Sequence, residues 1–170
     1  MTEFQLGSIS TGTLRTEDLI PAFTYTMGEL THDPVSNTSK YPTEAMAKLW
    51  DKAIHLIGTD QVRGHLYDGW TIDPEASGVD DLLKDLADAL NELCPPFVYF
   101  GTLEGDGADF GFWADFDAVD ESCARKHHRC THNPETGEIV LEDESVIVQV
   151  NDHGNVTVMD MERNVLWSVV

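Results

Sequence analysis

Positive charge is scarce in this chain. Its 170 residues carry 10 Lys and Arg against 31 Asp and Glu, a formal net charge of −21 at pH 7. Phosphate contact needs a positive face, so direct binding to nucleic acid or to an anionic membrane is not expected. Cationic partners, Ca²⁺ or solubility alone are left. Cysteine is scarce too. Cys94 lies far from Cys123 and Cys130, which could pair only through a tight loop. An odd count in this arrangement predicts reduced thiols in a cytoplasmic protein rather than a disulfide framework. No apolar run approaches the roughly 20 residues of a membrane span. The opening MTEFQLGSIS lacks a basic start and an apolar core, so it does not read as a secretory signal. Internal repeats of about 20–50 residues are missing as well.

What is present is ordinary globular material. Apolar residues make up 41% and charged residues 24%, and a chain of this length suits one domain with a core that needs no staples. Thr16 can cap a first helix over 16–30, with Glu17 and Asp18 in its first turn and Leu19, Phe23, Met27 and Leu30 at spacings of three and four. Pro21 is expected in or near the first turn, where its missing N–H costs little. Pro42 opens a second helix with Met46, Leu49, Trp50, Ala53, Ile54 and Ile57 on one face, stopped by Gly58. Irregular structure follows over 59–78, with Leu66, Tyr67, Trp70 and Ile72 expected to be buried. The clearest helix runs over 79–93, with a stripe of Val79, Leu82, Leu83, Leu86, Leu90 and Leu93 that Pro95 and Pro96 terminate.

Beyond Pro96 the period changes. Residues 97–103 and the alternating Phe110, Phe112, Ala114 and Phe116 predict two strands joined by a glycine-rich turn. Residues 117–137 read as a polar loop. Strands are then predicted at 138–142, 145–151 and 155–160, the last two joined through Asp152-His153-Gly154, with a final edge strand at 164–170. Helices followed by strands define an α+β class, N-terminal helices packed on a C-terminal antiparallel β-sheet, in a single domain.

The blocks PFVYFGTLEGDGADFGFW (96–113), STGTLRTEDLIPAF (10–23) and VNDHGNVTV (150–158) resemble small acidic proteins of phages and mobile elements that share a Tyr-Phe-Gly step followed by GDGADFGFW. The resemblance implies a mobile-element origin. It carries over no activity and no site residue.

The charge is unevenly spread. Between Asp73 and Glu121 there are 14 acids and a single base, Lys84. On the third predicted helix Asp81, Asp85, Asp88 and Glu92 share the face opposite the leucine stripe, spanning about 16 Å at 1.5 Å per residue. Duplex DNA carries one charge per about 1.7 Å, so the helix alone is sparser than DNA. Glu104, Asp106 and Asp109 of the glycine-rich turn, with Asp115, Asp117, Asp120 and Glu121, would have to add parallel rows to imitate a phosphate backbone. The plainer alternative is a solvated acidic surface.

Other motifs say less. Asp109-Phe110-Gly111 matches the kinase magnesium tripeptide, but no glycine-rich phosphate loop, catalytic loop or strand lysine accompanies it. Glu104, Asp106 and Asp109 offer oxygens for Ca²⁺ or Mg²⁺, yet without EF-hand spacing. Cys123, His127, Cys130 and His132 are candidate zinc ligands, but C-x₃-H-H-x-C-x-H is not a finger spacing, and Arg125, Lys126 and Arg129 would repel a metal. That loop reads as a basic cluster, which would suit the acidic face of a second copy in a homodimer. His32, His55, His65, His128 and His153 are scattered, and no G-x-S-x-G, H-E-x-x-H or P-loop pattern occurs. No enzyme activity and no cofactor are expected. The leading expectation is an interaction protein that binds the basic surface of a nucleic-acid-binding host protein, as DNA-mimic anti-restriction or anti-CRISPR inhibitors do. The alternatives are a small-ligand or metal-binding accessory domain using the 101–113 glycine loop, and a minor phage structural protein.

Overall fold

The structure, a computed structural model, describes residues 3–33, 38–57, 78–124, 130–133 and 135–169. In chain order the elements are β1 (Gly7–Ser10), α1 (Thr16–Thr31), β2 (His32–Asp33), β3 (Thr38–Ser39), α2 (Glu44–Ile57), α3 (Val79–Glu92), β4 (Val98–Leu103) and β5 (Asp106–Ala114). They continue with α4 (Phe116–Ala124), β6 (Cys130–Asn133), β7 (Glu138–Leu141), β8 (Val146–Val150), β9 (Val156–Asp160) and β10 (Val165–Val169). A three-stranded sheet has the order β1-β5-β4 and a five-stranded antiparallel sheet the order β10-β9-β8-β7-β6. The class is α+β, as the change of period at Pro96 predicts. The chain divides into two compact units: Ser8–Leu93 with Phe100–Gly111, and Met1–Gly7 with Cys94–Tyr99 and Phe112–Val170.

In the helical unit, α1 packs on both α2 and α3. Leu19, Ile20, Phe23 and Met27 form its buried stripe. Thr24 and Thr31 are buried on the same face, and their hydroxyls donate back to the carbonyls of Ile20 and Met27 at 2.7 and 2.8 Å, which satisfies both groups. Arg15, not Thr16, is the N-cap of α1, with no side-chain capping bond, and Thr16 is the first helical residue, so Pro21 lies beyond the first turn. It is the sixth residue of α1 and buried, so it cannot donate to the Glu17 carbonyl. Phe23 meets Phe100 edge-on at 4.8 Å and Phe110 at 5.4 Å, the offset geometry that ring quadrupoles favour.

α3 buries Val79, Leu82, Leu86, Ala89 and Leu90. Its end is held by Asn91, whose side chain accepts from the Phe100 N–H and donates to the Phe100 carbonyl, both at 2.9 Å. α2 lays Trp50 directly over Gly28 of α1. A Cβ at residue 28 would sit 2.5 Å from the indole ring, which also packs on Tyr41 at 5.9 Å.

In the sheet unit, Val119, Leu141, Val146, Val148, Val156, Val158 and Trp167 make one core cluster. Trp167 is fully buried, and its indole N–H donates to the Pro96 carbonyl at 2.8 Å. The β8–β9 turn is organised by Asn151, whose Oδ1 accepts from the N–H groups of His153 and Asn155, while Gly154 supplies the positive φ of 82°.

Two expectations for the chain after residue 106 change. The second strand begins at Asp106 rather than Phe110, because the backbone of 106–109 pairs without needing apolar side chains, and it ends at Ala114, Phe116 being the exposed first residue of α4 rather than part of the alternation. The polar loop expected at 117–137 contains α4 and β6. Asp115 starts α4 by accepting from the Ala118 N–H at 2.8 Å, and the helix buries Val119 and Ser122. β6 pairs only with β7, as an edge strand whose Thr131, His132 and Asn133 are exposed. The short β1, β2 and β3 were not anticipated either. β10 is the opposite edge, as expected. Gly58, Leu66, Tyr67, Trp70 and Ile72 lie outside the described residues.

Gly28→Ala should destabilise the protein by about 1–3 kcal/mol, the usual cost of overpacking, against a helix-propensity gain of at most about 1 kcal/mol. Gly107→Ala, where a Cβ meets nothing within 4 Å, should be close to neutral. Urea midpoints check this. Equal midpoints for the two variants would show that the Trp50 ring moves aside freely.

Candidate functional site

The leucine stripe turns one face of α3 inward, and the 3.6-residue period then places Asp81, Asp85, Asp88 and Glu92 on the other. All four are exposed. Lys84 reaches Asp88 at 2.5 Å, one turn along. Asp81, Asp85 and Glu92 have no ion-pair partner among the described residues. Lys84 is itself pushed above its usual pKa, first by the hydrogen bond to Asp88, then by the charges of Asp88, Asp85 and Asp81.

A groove of about 270 Å³ runs beside this row, with Thr43, the residue before α2, and Ala45, Met46 and Leu49 of α2 facing Asp85, Asp88, Ala89 and Glu92 of α3. Met46 and Ala89 are buried and Leu49 half-buried, so the floor is apolar and the α3 wall acidic. Thr43 shapes the near end, its hydroxyl accepting from the Met46 N–H at 3.2 Å. Glu44 and Lys48 at the start of α2 neutralise each other at 2.7 Å.

The remaining acids fall into two kinds. Asp106 is exposed, but its Oδ1 accepts from the Ala108 N–H at 3.0 Å and shapes the β4–β5 turn, where Gly105 takes a φ of 88°. Glu104 beside it is exposed. Asp109 is half-buried, with an enclosed Oδ1 that has no hydrogen-bond partner among the described residues. Asp115 is half-buried and caps α4; Asp117, Asp120 and Glu121 are exposed on that helix. Seven of the eleven candidate acids thus belong to the helical unit and the last four to the sheet unit.

Cys123 lies in the last turn of α4 and Cys130 starts β6, both half-buried against the sheet core as reduced thiols. Burial, then the neighbouring Cys130, raises the Cys123 pKa. His132 is exposed on β6, and His127 lies outside the described residues. Among the described residues no group of three or more His, Cys, Asp or Glu is placed to hold a metal ion. Cys94 is buried enough for its thiol pKa to be pushed up to about 12, which makes it a poor nucleophile at neutral pH.

Two features had no signal in the sequence. One is the groove, which depends on how α2 meets α3. The other is Glu138 on β7, which accepts both guanidinium N–H groups of Arg163 at 2.8 and 3.0 Å, 25 residues away along the chain. Arg163 holds the Glu138 carboxyl below its ordinary value, helped by Thr136. Comparison with family models, curated proteins and solved structures found no match.

Because the Glu138 carboxyl is depressed in the fold, its stabilisation is complete above the ordinary 4.5 and is lost as pH falls through the lower folded value. Glu138→Gln should therefore lower stability at pH 7 and lose that deficit progressively below pH 4.5, read from urea unfolding at a series of pH values. A deficit that is the same at every pH would contradict the ion pair as its source.

Proposed function

We propose that this chain is a non-enzymatic acidic interaction protein of phage or mobile-element origin. It binds the basic surface of a host nucleic-acid-binding defence protein and excludes nucleic acid from it, in the manner of anti-restriction and anti-CRISPR inhibitors. The observation that carries this reading is the α3 row: four exposed carboxylates on one helix face, three without an ion-pair partner among the described residues. The resemblance of the 96–113, 10–23 and 150–158 blocks to mobile-element proteins supports the origin. The row charges about 16 Å of surface at roughly 5 Å intervals, which suits a strip of Lys and Arg rather than a full duplex footprint. Attraction of this kind speeds encounter and weakens with salt.

The test is capture of host proteins on the immobilised chain, with duplex DNA as competitor and a salt series for elution. A restriction, CRISPR or replication protein that DNA releases is the expected result. Changing Asp81, Asp85, Asp88 and Glu92 together to Lys should preserve the circular dichroism spectrum. Each lost contact is worth about 0.2–1 kcal/mol, so four lost contacts plus the new repulsion should weaken capture by about 30-fold or more. Capture unchanged in that variant would remove α3 as the interface. Elution of unrelated basic proteins at low salt, regardless of DNA, would assign the charge to solubility.

A further inference from the structure

We propose that the groove between α2 and α3 is the seat of a basic amphipathic helix carried by the protein partner. This rests on the reading of α3 as the interaction face and adds the element of the partner that it grips. An exposed ion pair contributes little, about 0.2–1 kcal/mol, so a carboxylate row alone gives rate and orientation more than affinity. An apolar anchor beside it changes that. The groove offers one, floored by Met46, Leu49 and Ala89. Its volume of about 270 Å³ lies below the roughly 300–1,000 Å³ of small-molecule sites. It is large enough for an aliphatic side chain or two. Met46 adds an adaptable thioether that accommodates anchors of different shape.

The spacing of the wall selects a helix as occupant. Asp85, Asp88 and Glu92 lie three and seven residues apart on α3, so their Cα atoms span about 10.5 Å. A second helix lying along the groove places side chains seven residues apart at the same distance. Two turns of such a helix would set an apolar residue on the floor, with a Lys or Arg three positions before it and another four positions after it on one flank, seven residues apart, meeting Asp85 and Glu92. The charge is one-sided. The lining opposite α3 is uncharged, Thr43 just before α2 and Ala45, Met46 and Leu49 within it, so the occupant's cations fall along the α3 side and its apolar stripe faces α2.

The test uses the whole chain and two labelled 18-residue peptides followed by fluorescence anisotropy. One peptide carries leucines seven residues apart, each with a lysine three positions before it and another four positions after it, so that the lysines line one flank of the leucine stripe. The other has the same composition scrambled. The patterned peptide should bind at least about tenfold more tightly. Ala45→Trp, at an exposed position on α2, should fill the groove and remove that advantage, leaving the weak, salt-sensitive binding of the scrambled peptide unchanged. Leu49→Ser, a smaller change to the floor, should halve the advantage or more. If both peptides bind equally and only the fourfold lysine variant weakens them, the groove proposal falls and the acidic face stands without it. If the lysine variant also captures host protein as well as the parent chain does, the functional reading falls too. A chain that dimerises and becomes monomeric on Ala45→Trp would assign the groove to a second copy and overturn the partner helix.

Discussion

The segregation of α3 into a leucine face and a carboxylate face is the constraint on which the functional account depends. Like charges at neighbouring helical positions cost about 0.2–0.5 kcal/mol per pair, and the row contains three such steps. Leu82, Leu86 and Leu90 are each at most 1% exposed, and burying a leucine contributes about 1.5–3 kcal/mol. Burial therefore exceeds repulsion severalfold, and the helix can hold an acidic face that an isolated peptide would not tolerate as well. Asn91 then fixes the helix end to the Phe100 backbone, so the row stands on a rigid element rather than a loop.

The acid surplus is not uniform in purpose. Some carboxylates work locally: Asp115 caps α4, Asp106 forms the β4–β5 turn, Asp160 accepts from the Asn164 side chain and from the N–H groups of Glu162 and Asn164, and Glu138 grips Arg163. Removing these would be felt first in folding. The α3 row differs in kind. Asp81, Asp85 and Glu92 have no such task among the described residues, and Asp85 and Glu92 flank an apolar groove. Exposed acids without local work beside an apolar surface are the combination in which charge can serve recognition as well as solubility.

How much of this was legible in the sequence follows from which signals are local. The apolar period of 79–90 exposed α3 and, by subtraction, its acidic face. The alternation in 138–160 exposed the sheet strands. α4 was obscured by its own charge. Asp115 and Asp117 are helix-start signals, yet in a run of acids they read as a solvated loop, with Val119 as the one fully apolar buried residue. β6 was silent because Thr131, His132 and Asn133 are all exposed and only Cys130 is half-buried, so the segment carries no apolar alternation. Pro21 sits in the second turn because α1 starts without a side-chain cap, its N-cap being Arg15, one residue before the Thr16 that the capping preference selects. The groove could not be read at all, since it arises from two helices whose mutual approach is set by Trp50 seating on Gly28 and by the shared contact with α1. Of the cysteines and histidines of 123–132, Cys123 and Cys130 remain neighbours at the sheet core, while His132 is exposed on β6.

The most direct measurement of the central claim is amide hydrogen exchange of the chain alone and in complex with the DNA-displaceable partner. The account expects slowed exchange over α3 residues 81–92 and the first two turns of α2, with the β5–α4 connection unchanged. Slowed exchange confined to the sheet unit, with α3 exchanging as it does in the free chain, would contradict it.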